Sequence, residues 1–182
     1  MSRLLELLKE KAFESKAVTL ASGKTSNFYI DVKRVSLHPE GAYWIGKDLL
    51  SLIQKHFPEA KACGGLTLGA DPLATAVSLS SWVKKRPIFA FIVRKDIKSH
   101  GLSRMIEGAD WVPKGASVVI LEDVVTTGKS SVEAIQKVRE HGWIVLGVAA
   151  IVDRQEGGSE TLKNEGVNLA SLFTKKDFGI TE

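Results

Sequence analysis

The spacing of hydrophobic and polar positions changes several times along the chain. Between residues 2 and 14, Leu4, Leu5, Leu8 and Ala12 fall on one helical face with Lys and Glu opposite, which predicts an amphipathic helix. Ser22-Gly23-Lys24-Thr25-Ser26-Asn27 reads as a turn, and 28–32 as a strand after it. Pro39 suits a first helical position, so a helix is predicted from there to His56, ending before Pro58. The chain then alternates. Strands are predicted at 61–65, 88–93, 118–121, 144–152 and 167–173, with helices from Asp71-Pro72 to Lys85 and from Ser130 to Glu140, the latter closed by Gly142. Strands that are apolar on both faces and separated by helices imply an α/β fold, with a mainly parallel central sheet flanked by helices on both faces. No repeat or Pro/Ser-rich linker divides the chain, so residues 1–182 read as a single domain. The long unpatterned stretch 95–115 is expected to be a functional loop.

Composition narrows the classes. One cysteine, Cys63, excludes an internal disulfide framework and a Cys-rich zinc site. No apolar run approaches the ~18 residues of a membrane span. The first eleven residues alternate leucine and charge, unlike a signal peptide, so a cytoplasmic protein with no membrane partner is expected. The net charge of +4 suits an anionic small substrate, but RNA would fit it too. His38, His56 and His141 lack metal-ligand spacing, and the four tryptophans are scattered as packing residues are.

The chemistry concentrates in Val118-Val119-Ile120-Leu121-Glu122-Asp123-Val124-Val125-Thr126-Thr127-Gly128-Lys129-Ser130-Ser131. An apolar strand leads to two acids, and a loop of small polar residues opens a helix. Ligands of parallel sheets bind outside the carboxyl ends of strands. A Thr/Gly/Ser loop before a helix offers backbone N–H groups, hydroxyls and the positive helix end to a phosphate. Ionised acids beside it accept hydrogen bonds from sugar hydroxyls. The pattern therefore predicts a phosphorylated sugar. Gly128-Lys129-Ser130 matches the end of a nucleotide P-loop, but the glycine needed five positions earlier is Asp123. A lone acid pair would read as the start of a solvated turn; the ordered combination argues for a site.

This segment resembles the signature of the type I phosphoribosyltransferases. The resemblance implies that Glu122 and Asp123 meet the ribose hydroxyls of 5-phosphoribosyl 1-diphosphate (PRPP), with Val124, Val125, Thr126, Thr127, Gly128, Lys129 and Ser130 around its 5′-phosphate. A second motif, Arg94-Lys95-Asp96-Ile97-Lys98-Ser99-His100-Gly101, follows the strand 88–93. A charge run is ordinarily a solvated loop. This one begins at the same sheet end as Glu122, where cations would neutralise a leaving diphosphate and His100 would shuttle a proton. It is similar to the catalytic loop of the orotate phosphoribosyltransferases.

The resemblance to that subfamily implies several further roles. Arg94, Lys95, Lys98 and His100 would join the PRPP-binding set, and Lys95, Lys98, His100 and Asp123 would be catalytic. Residues 19–32 would form a small N-terminal hood with Tyr29 near the pyrimidine. Gly64 to Pro72 would be the diphosphate loop. Orotate would lie on Tyr29, Thr126 and Arg154, with Arg154 forking its carboxylate. The other reading of Arg154 is a surface ion pair. Mg²⁺ would be held through PRPP and water, with no direct protein ligand. A homodimer is implied, in which Lys95 enters the neighbour's site. Some members of the subfamily carry lysine where this chain has Ala21 and Leu68, so those two contacts are not carried over. Two rivals are a PRPP-sensing regulator that binds nucleic acid and a purine or uracil phosphoribosyltransferase. The basic loop and Arg154 argue against both, and no nucleic-acid partner is expected.

Overall fold

The structure is a computed structural model that describes residues 2–14, 18–19, 25–26, 29–95 and 105–180. The N-terminal helix α1 (Arg3–Leu7) continues into a π turn (Leu8–Ala12) and stops there, short of the predicted residue 14. It stops because β1 (Phe13–Glu14) pairs antiparallel with β4 (Tyr29–Ile30), Phe13 opposite Ile30. Between them β2 (Val18–Thr19) pairs with β3 (Thr25–Ser26). The predicted strand 28–32 is reduced to its middle. Asp31 ends it: its carboxylate accepts the Lys33 N–H at 3.2 Å, and a four-residue helix α2 (Lys33–Ser36) begins.

Helix α3 (Pro39–His56) has the predicted bounds. Then follow β5 (Ala62–Leu66), α4 (Asp71–Val83) and β6 (Phe89–Val93). The stretch predicted to be unpatterned contains a short strand β7 (Ile106–Glu107), antiparallel to β6, and a 3₁₀ turn (Ala109–Trp111). After it come β8 (Ser117–Val125), α5 (Lys129–Glu140), β9 (Ile144–Asp153), an unpredicted α6 (Gly158–Asn164) and β10 (Asn168–Thr174).

The six-stranded sheet has the order β10-β9-β8-β5-β6-β7, parallel except at β7. Alternate residues of β8 face opposite layers. Val119 and Leu121 join Leu4, Leu8, Leu49, Ile53 and Leu73 from α1, the π turn, α3 and α4. Val118 and Ile120 join Ala134, Ile135, Val138 and Leu162 from α5 and α6. Both faces are thus covered, as the doubly apolar strands required.

One expectation about the sheet is corrected. Strand β8 runs four residues beyond Leu121, because β9 continues beside it and pairs Val124 with Val152 and Val125 with Asp153. The acids therefore stand within a paired strand. In the sheet β5 lies between β6 and β8. From β5 the connection through α4 leads one way to β6, while β8, α5 and β9 extend the sheet the other way. The direction of winding therefore switches between β5 and β8, which is where an open α/β sheet leaves a crevice.

Candidate active site

The carboxyl ends of β5 and β8 bring two predicted loops together. Gly69, in the turn after β5, lies so near Asp123 that a methyl on it would sit 3.1 Å from the carboxylate Oδ1. A side chain at this position would press the carboxylate back by a few tenths of an ångström. Asp123 Oδ1 also accepts the Val124 N–H at 2.8 Å. Two residues beyond Gly69, Asp71 opens α4. Its Oδ2 accepts the Thr67 hydroxyl at 2.8 Å, while its Oδ1 is buried with no hydrogen-bond partner among the described residues.

Glu122 faces the helix layer. Its Oε2 accepts the hydroxyl of Ser131 at 3.1 Å. Burial, and then the charge of Asp123, pushes its carboxyl up to about 8; the Ser131 hydrogen bond opposes the rise. A carboxyl that keeps its proton near neutrality can donate to a sugar oxygen as well as accept from one. Sequence reasoning missed Ser131, although a signal was present. Ser131, Ala134, Ile135 and Val138 share helical spacing, and all four are buried.

Val124 and Val125 pack inward, leaving their backbone to shape the turn. Thr127, Lys129 and Ser130 are exposed, and Thr126 is half-buried. Gly128 caps α5 at φ +82°, a left-handed conformation that favours glycine. The first turn of α5 thus points free N–H groups toward the mouth of the crevice. Unanticipated by the sequence, Gly158 at the start of α6 supports this loop: a methyl there would sit 2.8 Å from the Thr126 carbonyl.

Arg154 follows β9 and donates its backbone N–H to the Val125 carbonyl at 2.9 Å, which brings it beside Thr126. Its guanidinium is buried and meets Glu156 Oε1 through Nε at 3.0 Å and Nη2 at 2.8 Å. It does form an ion pair, but a sheltered one at the edge of the crevice. Tyr29 is half-buried in β4.

At the other rim, β6 ends at Val93 and the chain bends at Lys95. The Arg94 guanidinium clamps Glu107, with Nη2 at 2.6 Å and Nε at 2.7 Å from Oε1, and its N–H reaches the Met105 carbonyl at 2.9 Å. Lys95 is exposed. Lys98 and His100, both predicted to be catalytic, lie outside the described residues, as do residues 20–24 and 27–28 of the predicted hood. Lys33 was not foreseen. Its ammonium lies 2.9 Å from Asp31 Oδ1, and this contact, then the field of Asp123, makes it more basic. No group of three His, Cys, Asp or Glu side chains able to hold a metal occurs among the described residues.

No protein-family model matches the chain. It is 46% identical over 173 residues to the orotate phosphoribosyltransferase of Aquifex aeolicus, covering 95% of this chain and 92% of that protein. The crystal structure of the Mycobacterium tuberculosis orotate phosphoribosyltransferase in complex with Fe(III) dicitrate superposes with a TM-score of 0.84 at 38% identity, over 98% of each chain. The same enzyme in complex with PRPP gives a TM-score of 0.80 at 36% identity, again over 98% of each.

Proposed function

The chain belongs to the orotate phosphoribosyltransferase family, and from that premise we propose how its residues divide the work. The enzyme transfers the 5-phosphoribosyl group of PRPP to orotate, giving orotidine 5′-monophosphate and diphosphate, a step of pyrimidine nucleotide synthesis. One observation supports the assignment of roles above the rest. The acid pair, the loop at the start of α5 and the Gly69 turn meet at the switch point between β5 and β8.

In this reading the N–H groups and hydroxyls from Thr126 to Ser130, with Lys129, hold the 5′-phosphate. Glu122 and Asp123 take the ribose hydroxyls, and Asp123 faces the positive charge that develops at C1 as diphosphate departs. The turn 66–70 receives the diphosphate, whose charge is met by Lys95, Lys98, His100 and Arg94, which would share its guanidinium between the diphosphate and Glu107. Orotate lies between Thr126 and Tyr29, its carboxylate on Arg154, which would exchange part of its contact with Glu156 for the substrate. The ring nitrogen then attacks C1. Catalysis rests on positioning and charge neutralisation, with the basic loop and the hood of residues 19–32 excluding water.

Mg²⁺ fits this donor set as a substrate-held ion. It prefers hard oxygen ligands and keeps its waters. Asp123 and the unpartnered Oδ1 of Asp71 are carboxylate oxygens suited to accept from those waters. When bound, the ion supplies positive charge to the diphosphate and ribose oxygens.

The working unit in this proposal is a two-fold homodimer in which Lys95 completes the partner's diphosphate pocket. An apolar groove of about 1070 Å³ between α3 and α4 supports it. Leu37, Tyr43, Leu79 and Val83 there are 60% to 74% exposed, and Leu68 and Asp71 of the diphosphate turn line the same groove. Covering this face would bring a second copy beside the site. The cytoplasm is the proposed location, in keeping with the free thiol of Cys63. The experiment that tests the assignment follows orotate loss spectrophotometrically with PRPP and Mg²⁺. Turnover that needs both is expected, and absence of turnover would reject it.

A further inference from the structure

Lys137 lies far along α5 from the phosphate loop, and nothing in the reaction described above uses it. Its ammonium is nonetheless sheltered, with the side chain 15% exposed, and meets three acceptors. These are the carbonyl of Arg94 at 2.9 Å, the carbonyl of Lys95 at 2.7 Å and Glu133 Oε1 at 2.6 Å. An ammonium has three N–H donors, and all three are matched. The two carbonyls are the informative pair. In an extended strand successive carbonyls point to opposite sides. Arg94 and Lys95 both face one ammonium because the backbone bends at Lys95, beyond the end of β6.

We infer that Lys137 is a positioning residue of this reaction: by gathering the Arg94 and Lys95 carbonyls it fixes the direction in which Lys95 leaves the sheet. Glu133, one helical turn back, holds the ammonium in place. The helix itself begins at the loop assigned to the 5′-phosphate, about 12 Å away along its axis. One rigid element therefore sets the distance between the phosphate cradle and the root of the basic loop. On the opposite side the root is closed by Arg94 on Glu107 and on the Met105 carbonyl. The inference rests on the proposed role of Lys95.

The test compares four proteins by steady-state orotate consumption: wild type, Lys137→Met, Lys95→Ala and the double variant. Misdirecting a catalytic cation should lower kcat at least about tenfold. The thermal midpoint of Lys137→Met shows that the protein is folded, and Lys137→Arg should recover part of the rate. The decisive readout is the double variant, which should be no slower than Lys95→Ala alone, because Lys137 acts through Lys95. A purely structural tether would instead slow Lys95→Ala further. Wild-type kcat in Lys137→Met, or losses that multiply in the double variant, overturn the inference while the reading of Lys95 stands. A silent Lys95→Ala overturns both, and the failure then lies with the role of Lys95. If Lys137→Met does not fold, Lys137→Gln, which still reaches a carbonyl without charge, takes its place in the comparison, and the same outcomes support or overturn the inference.

Discussion

Glu122 gives a stability prediction that depends on pH in an unusual direction. Its carboxyl is raised from 4.5 to about 8, chiefly because burial disfavours the charged form. The folded protein therefore binds this proton more tightly than the unfolded chain. The contribution is complete below pH 4.5 and disappears as pH rises through about 8. At 1.36 kcal/mol for each tenfold change, the ceiling is about 5 kcal/mol. Glu122 stands at the border of the core, where the effective dielectric is well above that of a dry interior, which leaves about 2 kcal/mol. Glu122→Gln keeps the shape and the Ser131 contact but cannot ionise. Urea unfolding, followed by the fluorescence of buried Trp143, would be measured from about pH 5 to about pH 8.5. Wild type should lose about 2 kcal/mol more than the variant across that window. Groups shifted elsewhere, such as Asp31 and Glu40, cancel in the difference. Parallel profiles would refute the reasoning. Ser131→Ala provides an internal control: it removes a bond that favours the anion, so the midpoint of the loss should move to higher pH.

Other outcomes follow from the assigned roles. Arg154→Ala should raise the KM for orotate at least about tenfold, since a hydrogen bond to a charged group contributes about 1.5–3 kcal/mol, and leave PRPP binding nearly unchanged; an unaltered orotate KM rejects that role. Asp123→Asn should lower kcat more than it raises the KM for PRPP, and a folded variant with normal kcat rejects the transition-state role of Asp123. Mixing the strongly slowed Lys95→Ala with the strongly slowed Asp123→Ala should give each mixed dimer up to about half the wild-type activity, because one of its two sites then has both residues intact. No recovery despite subunit exchange rejects a shared site.

How much of this was legible in the chain varies with the range of the interactions. The helix from Pro39 to His56 has its bounds in local chemistry, a proline at its start and a second one just beyond its end. The doubly apolar strands announce a covered parallel sheet for the same reason. The acid pair was found, but its setting was not, because the extension of β8 to Val125 depends on β9 pairing about 28 residues later. Helix α6 escaped because it is seven residues long and opens on glycine, too short for a periodic signal. Lys137 is the extreme case. Its partners lie 42 and 43 residues away, and no local pattern distinguishes it from any other helical lysine.

The ladder that carries Glu122 through Val125 has a kinetic meaning. Its partner is β9 alone, because β5 meets β8 only from Val118 to Ile120, yet amides in a long ladder at the centre of a sheet exchange with solvent mainly through large openings. The sugar-binding half of the crevice is built into that ladder. The root of the basic loop is secured instead by side chains, Lys137 on one flank and Glu107 on the other, and by the two-residue strand β7 at the sheet edge. Such a region opens by itself at lower free energy. Deuterium uptake should therefore divide the active site in two, slow from Leu121 to Val125 and fast at Arg94 and Met105. Ligands that seal the crevice would narrow the gap from the fast side alone.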